Sequence, residues 1–188
     1  MTYNTCKMSV QRFRRKWLIV TIIFLYSVHQ GYTQEFPQSW EGEWKGEMNI
    51  YNSKSVDPVM NLQMELKVEP ITDSAWSWTI VYITADKPDM RAYELQATDD
   101  PNKWIIDEKN GIQLPQTYIG NRLTSSFSLE NTLLVASYWL EDSEMNIEII
   151  VTNLEPESET GLGNDTSPIV GNHPVNSYQR AILKKVSE

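Results

Sequence analysis

Apolar and polar side chains alternate with a period of two along most of the chain beyond residue 40. The clearest run is VMNLQMELKV, residues 59–68, in which Met60, Leu62, Met64, Leu66 and Val68 alternate with polar residues. Such a period places one row of side chains on a dry face and the other on a wet face, as in antiparallel sheets. No stripe with the 3.6-residue period of a helix accompanies it.

Ten alternating runs follow one another, separated by turn residues such as those at 99–102. They cover residues 44–51, 59–68, 75–83, 91–98, 103–108, 112–119, 122–129, 132–140, 145–153 and 175–185. Evenly spaced strands in one all-β domain favour a sandwich or a closed barrel, and closure removes both exposed sheet edges. The pattern therefore predicts a single antiparallel up-and-down β-barrel with little or no helix.

One hairpin is predicted in more detail from the sequence around Asn110-Gly111. A two-residue turn would split the apolar side chains of the two strands between opposite faces of the sheet. A three-residue loop over 109–111, with Gly111 left-handed in a bulge, instead pairs Glu108 with Ile112. This register collects the apolar set on one face, namely Trp104, Ile106, Ile112, Leu114 and Tyr118.

Residues 1–33 have the pattern of an export signal. Five basic residues precede the apolar segment Trp17–Val28, whose 12 residues are fewer than the roughly 20 that a membrane-spanning helix needs. The small-x-small pattern Gly31-Tyr32-Thr33 predicts cleavage before Gln34. A retained N-terminal anchor is the alternative. We expect a signal peptide at 1–33 and an extracytoplasmic barrel domain, periplasmic or secreted, at 34–188, with no membrane span in the mature chain.

Cleavage would change the charge and the cysteine count. Of the 16 basic residues 11 would remain beside all 25 acidic ones, a net charge of −14, so we expect no nucleic-acid partner. The single cysteine, Cys6, would also be lost, which leaves no disulfide. A chain of this size can bury about 70% of its unfolded surface and is stable through its core.

Both ends of the predicted barrel resemble the calycin superfamily, which includes lipocalins, fatty-acid-binding proteins and nitrobindin-like barrels. The resemblance rests on Gly42-x-Trp44 at the first strand and on Arg180 in the last. It implies that Trp44 plugs the closed end of the barrel and that Arg180 packs across its ring. Trp40 and Gly46 then belong to the same closure.

The connections between strands narrow the resemblance. Only residues 52–58 join the first two strands, which leaves no room for the helical lid of fatty-acid-binding proteins. The long insertion at 154–174 is rich in Pro, Gly, Ser and acidic residues and is predicted to be a loop or flap. A lidless nitrobindin-like barrel fits best.

Sites for catalysis or metal binding have little support in the sequence. The resemblance implies His173 as a haem ligand, but His173 precedes the last strand, so we expect an exposed loop residue. The residues Asp99, Asp100 and Asn102 are interpreted as a turn, because they lack the spacing of a calcium loop. We predict no catalytic residues, no metal and no cofactor, and expect that the protein is not an enzyme.

The aromatic residues of the predicted inner faces suggest a binding function. We predict a ligand wall that consists of Met64, Trp78, Tyr82, Trp104, Phe127 and Tyr138, which would suit a small hydrophobic molecule. In the alternative, the same side chains fill the barrel completely, and the protein acts through its surface in the cell envelope. Alternation does not decide between these two interiors. It also leaves open whether Tyr138 or Trp139 points inward, and it does not determine the oligomeric state.

Overall fold

A computed structural model describes residues 36–84 and 87–187 of the protein. The chain divides into two units, Met1–Ser39 and Trp40–Glu188, of which the first is described only from residue 36 onward. The predicted signal peptide at 1–33 lies outside the described residues. None of the helices in the described part of the chain is long and apolar enough to cross a membrane.

The second unit is a closed antiparallel barrel of ten strands, as the sequence predicts. A 3-10 turn, Gln38–Trp40, precedes the first strand. The barrel strands are β1 (Gly42–Asn52), β2 (Met60–Thr72), β3 (Ala75–Ile83), β4 (Pro88–Ala97), β5 (Lys103–Asp107), β6 (Gln113–Ile119), β7 (Arg122–Leu129), β8 (Thr132–Glu141), β9 (Glu144–Asn153) and β12 (Val175–Lys185). Chain neighbours pair with each other, and β12 closes the ring between β9 and β1.

The insertion before the last strand contains more structure than a loop. Two short strands within it, β10 (Ser158–Thr160) and β11 (Val170–Asn172), form a separate antiparallel pair. Gly161 ends β10 with φ +108°, and a Cβ at this position would overlap the carbonyl of Pro168. His173 is exposed, and its Nδ1 lies 3.0 Å from the carbonyl oxygen of Asn153. The two short strands of the insertion therefore pair with each other and not with a strand of the barrel.

Strand register determines which side chains point into the barrel. Trp44 of β1 is directly opposite Leu66 of β2 on one side and Lys185 of β12 on the other, so these three share the inner face. The same parity places Tyr138 inside, where it is 7% exposed. Trp139 therefore faces outward, with the guanidinium carbon of Arg122 4.0 Å from its ring centroid. The alternation in the sequence thus corresponds to the two faces of the barrel wall.

The bulged hairpin between β5 and β6 is confirmed. The backbone N–H of Glu108 donates to the carbonyl of Ile112 over 3.0 Å, and Gly111 has φ +99°. Ile106 is opposite Leu114, as the predicted register requires. Lys109 also has a positive φ, of 59°.

The acidic segment before β5 forms a turn. The backbone N–H of Asn102 donates to a carboxylate oxygen of Asp100 over 2.9 Å, and that of Lys103 donates to the Asp100 carbonyl over 2.9 Å. Asp100 thus supplies two acceptors that shape the chain before it enters the barrel. Within residues 36–84 and 87–187, no group of three or more His, Cys, Asp or Glu side chains is arranged to hold a metal ion.

Candidate functional site: a cavity in one half of the barrel

One end of the barrel is filled by tryptophan. We call it the closed end and define it by Trp40, Trp44, Trp76 and Trp104, all of which are at most 8% exposed. The Trp44 indole N–H donates to the carbonyl of Trp40 over 2.8 Å, and the rings of Trp76 and Trp104 meet edge to face at 5.8 Å. Edge-to-face packing of this kind adds to the stabilisation from burying the rings.

The cation at the closed end is Lys185, and the expectation for Arg180 is wrong. Lys185 Nζ lies 5.4 Å from the centroid of the Trp44 ring. Arg180 is opposite Asn49, an odd-numbered residue of β1, and is exposed on the outer face. The resemblance implied a basic residue from the last strand, but only the pairing of β12 with β1 determines which basic residue faces inward.

A pair of rings spans the barrel above the closed end. β3 and β8 are five strands apart in both directions around the ring of ten, so they face each other across the interior. Trp78 of β3 and Tyr138 of β8 meet edge to face, with centroids 5.2 Å apart and an interplanar angle of 85°. Trp40 packs behind Trp78 at 6.2 Å. Together Trp78 and Tyr138 form a floor across the barrel.

The half of the barrel beyond this floor contains a cavity of about 400 Å³. We call this half the cavity end, and it is bordered by the β1–β2, β5–β6 and β7–β8 connections and by the insertion at 154–174. Aliphatic and aromatic side chains make up much of the wall, including Ile80, Leu114, Phe127 and Leu134. The volume lies in the range of ordinary small-molecule sites.

The predicted wall residues divide into two groups. Trp78, Tyr82, Phe127 and Tyr138 line the cavity. Met64 and Trp104 are absent from its lining: Met64 is 1% exposed opposite Gly46 of β1, and Trp104 lies in the closed end, where its indole N–H donates to the Pro101 carbonyl over 3.1 Å. Alternation identified the inner face of each strand but not the depth of a residue along it.

Charged residues at the cavity were missed by the sequence analysis. Asp89, Arg91 and Glu108 line it, and Arg91 Nη2 lies 3.1 Å from Asp89 Oδ2. The Arg91 guanidinium carbon also lies 5.0 Å from the Tyr82 ring centroid. Partial burial opposes the charge of Arg91, yet the hydrogen bond to Asp89 raises its pKa overall. The available signal was the parity of β4, in which Asp89, Arg91 and Tyr93 share a face with Leu95.

Burial also affects the tyrosines of this half. It raises the pKa of Tyr82, which is partly offset by the nearby Arg91, and it raises the pKa of Tyr93. The pKa of Tyr138 rises more strongly, again because its hydroxyl is buried. These tyrosines remain neutral in the folded protein at physiological pH and offer hydroxyl groups to the interior.

Two polar residues lie side by side in the cavity wall. Thr117 of β6 is opposite Thr124 of β7, and the same register continued by one residue brings Gln116 beside Ser125. The two residues are 2% and 5% exposed. The Gln116 side-chain Nε2 donates to the Leu114 carbonyl over 3.1 Å, whereas its Oε1 has no hydrogen-bond partner. The indole N–H of Trp78 is also buried without a hydrogen bond of good geometry. It nevertheless lies close enough to the Tyr138 hydroxyl to oppose part of the burial effect that raises the pKa of Tyr138. A buried acceptor without a donor is rare and costly in a folded protein.

Comparison with known proteins finds distantly similar solved structures. No protein-family model and no curated protein sequence matches it. A DUF3598-family protein of unknown function from Nostoc punctiforme aligns over 78% of this chain at a TM-score of 0.50 and 14% identity, and the chain spans 47% of that protein. Rv2717c from M. tuberculosis aligns at 0.46, with 12% identity over 78% of this chain and 92% of its own. A mutant of the fluorescent protein UnaG aligns at 0.40, with 10% identity over 80% and 99%. The likeness to the DUF3598-family protein concerns the fold alone.

Proposed function

We propose that the protein binds a small, mostly apolar molecule inside its barrel. The observation that carries this proposal is the cavity of about 400 Å³ above the Trp78–Tyr138 floor. A guest that fills such a space removes apolar surface from water, which stabilises the complex by roughly 25 cal/mol for each Å² buried. The few polar groups on the wall would then determine how the guest is oriented.

The wall is suited to a partly flat ligand. Trp78 and Phe127 offer ring faces or edges, and Leu114 and Ile80 offer flexible aliphatic surface. Aromatic walls provide a large contact area at low conformational cost. The residues that contact the guest are therefore proposed to include Trp78, Tyr82, Phe127 and Tyr138. Met64 is buried without lining the cavity, and Trp104 belongs to the closed end.

A role in protein contact is the second candidate. The sequence analysis linked this role to a barrel that side chains fill completely. The cavity shows that one half of the interior is not filled. The insertion nevertheless exposes Leu162, Ile169 and Val170, which are 80%, 53% and 51% accessible. Exposed apolar side chains of this kind are common at interaction surfaces. Removing residues 158–172 would leave the residues that line the cavity in place. The deletion should abolish binding to a protein partner only if the insertion forms that contact.

The binding proposal is tested by filling the cavity. Ala136 lies on the inner face of β8 and lines the cavity, so Ala136→Trp would occupy the space that a ligand needs. We expect wild-type protein to bind Nile red saturably, with a blue shift of the dye. We expect Ala136→Trp to weaken this binding by about tenfold or more, since the guest would lose most of its contact area.

The matched control is Val135→Trp. Val135 is the neighbour of Ala136 on the same strand, and its side chain points to the other face of the sheet. It should keep wild-type dye binding, and thermal melts would establish that both variants fold. The binding proposal is wrong if wild-type protein does not bind the dye, or if folded Ala136→Trp binds it as well as Val135→Trp does.

We further propose that the barrel acts outside the cytoplasm after removal of residues 1–33. The support is the basic head followed by the 12-residue apolar segment. N-terminal sequencing of protein recovered from the exported fraction should begin at Gln34. Recovery of protein that still carries the basic head would instead support the retained anchor.

A further inference from the structure

The polar pair at Gln116 and Ser125 has an environment that differs from the rest of the cavity wall. Their neighbours along the same row of paired strands are Trp104 on one side and Ala136 on the other. Ser125 and Ala136 are small, so the wall recedes beside the Gln116 amide. Gln116, Ser125 and Ala136 line the cavity, whereas Trp104 does not. The row thus combines a buried amide with space next to it.

The orientation of the Gln116 amide follows from its contact with β6. Because Nε2 donates to the Leu114 carbonyl, the reversed amide would place two oxygens against each other. The oxygen is therefore the end of the amide that lacks a partner. An unpaired buried acceptor costs stability until a donor reaches it. A ligand N–H or O–H would supply that donor, and because this oxygen exposes less than 1 Å², the Gln116 side chain would turn toward the cavity to accept the hydrogen bond.

The charges on the cavity wall argue against an anionic ligand. Of the described residues that line the cavity, Asp89 and Glu108 carry carboxylates and only Arg91 carries a positive charge. Arg91 already forms an ion pair with Asp89 at 3.1 Å. A ligand carboxylate would compete with Asp89 for this guanidinium, and Glu108 adds a second carboxylate to the cavity wall. Like charges in a partly desolvated site disfavour each other.

We propose that the cavity selects an uncharged amphiphile whose head group donates a hydrogen bond to Gln116 Oε1, with Ser125 completing the polar subsite. Primary amides, lactams and alcohols with an apolar body belong to this ligand class, and fatty-acid anions do not. The inference rests on the proposed binding function and adds the chemical identity of the head group. It assigns Gln116 and Ser125 as specificity-determining residues.

The experiment compares three probes with the same ten-carbon chain as displacers of Nile red. Decanamide donates and accepts hydrogen bonds, methyl decanoate only accepts them, and decanoate is an anion at neutral pH. We expect wild-type protein to bind decanamide about tenfold more tightly than methyl decanoate, the effect of one buried hydrogen bond. Decanoate should also bind more weakly than decanamide.

Two variants and a control locate the effect. Gln116→Met keeps the length of the side chain and removes the acceptor, so it should bring decanamide to the affinity of methyl decanoate. Ser125→Ala should reduce the preference partially. Ser126→Ala removes a hydroxyl from the next residue of β7, whose side chain points to the outer face, and it should keep the full preference.

Each outcome separates the head-group inference from the binding function. Equal affinity for decanamide and methyl decanoate in wild-type protein overturns the inference while the binding function stands. A preference that survives in folded Gln116→Met assigns the donor contact elsewhere and also overturns it. Tighter binding of decanoate than of decanamide overturns the exclusion of anions. If neither Nile red nor any probe binds, both the inference and the binding function are wrong.

Discussion

The closed end and the cavity end use aromatic side chains in different ways. At the closed end three of the four tryptophans donate an indole hydrogen bond: Trp44 to the Trp40 carbonyl, Trp76 to Glu41 over 3.0 Å, and Trp104 to the Pro101 carbonyl. At the cavity end the N–H of Trp78 has no hydrogen-bond partner. The rings of the closed end are therefore held by hydrogen bonds to backbone carbonyls and to Glu41, whereas Trp78 borders the cavity.

The difference arises from the sizes of the residues that share the interior. Four tryptophans meet within the closed end, where their combined volume fills the cross-section of the barrel. At the cavity end the inner positions of β7 and β8 include the small residues Ser125 and Ala136, which are opposite each other. Small side chains there leave the interior unfilled. One continuous sheet therefore contains both a packed core and a cavity.

The largest expected effect is at the closed end. Trp44→Ala should lower the free energy of unfolding by about 3–5 kcal/mol, because it removes a buried ring and leaves a void. Phe127→Ala at the cavity end should cost less, under about 2 kcal/mol, because Phe127 is half-buried and already borders free space. Urea denaturation measures both. Equal losses would show that the two ends are packed alike.

A close backbone approach gives the second effect. Gly46 of β1 faces β12 so closely that a Cβ would overlap the backbone carbonyl of Ile182. Gly46→Ala should therefore cost about 1–3 kcal/mol of stability, the range for overpacking. Gly171→Ala is the control, because its new methyl group would first meet the Pro156 side chain at 3.1 Å in the exposed insertion. Comparable thermal melts for the two variants would contradict the strained approach.

The floor between the two ends should make stability depend on alkaline pH. Burial raises the pKa of Tyr138, so the folded protein keeps this proton when the unfolded chain begins to lose it near pH ~10. Its contribution is complete below that pH and is lost as the pH rises toward the folded pKa, by up to about 1.4 kcal/mol per pH unit. Tyr138→Phe should reduce this alkaline slope in urea midpoints measured from about pH 9 to 11. An unchanged slope would mean that the Tyr138 hydroxyl is not desolvated.

The smallest effect tests the register at the closed end. Lys185→Met removes the ammonium above the Trp44 ring and should cost about 0.5 kcal/mol, as expected for an exposed cation–π contact. Arg180→Met removes a similar charge from the outer face and should have no comparable effect on stability. Precise urea midpoints of the two variants make the comparison. A larger loss for Arg180→Met would restore the interpretation that the sequence suggested.

Some features of the fold and of the cavity could be predicted from the sequence, and others could not. The period-two pattern predicted the ten barrel strands, and the chemistry of residues 109–111 predicted the bulged hairpin in its correct register. The pattern did not place Met64 and Trp104 away from the cavity, since both satisfy the parity of an inner position. The β10–β11 pair was missed because three-residue strands are too short to produce an alternating run.

The sequence by itself determined which faces of the strands are dry, because successive side chains of a strand point to opposite sides whatever the strand pairs with. That property is local, and it was sufficient to predict a closed antiparallel barrel. The tertiary structure alone decided that Lys185 covers Trp44 and that Gln116, a residue of the cavity wall, has a buried oxygen without a hydrogen-bond partner. Register across β12 and β1, and the volume left between opposite walls, depend on residues far apart in the chain, so no local pattern contains them.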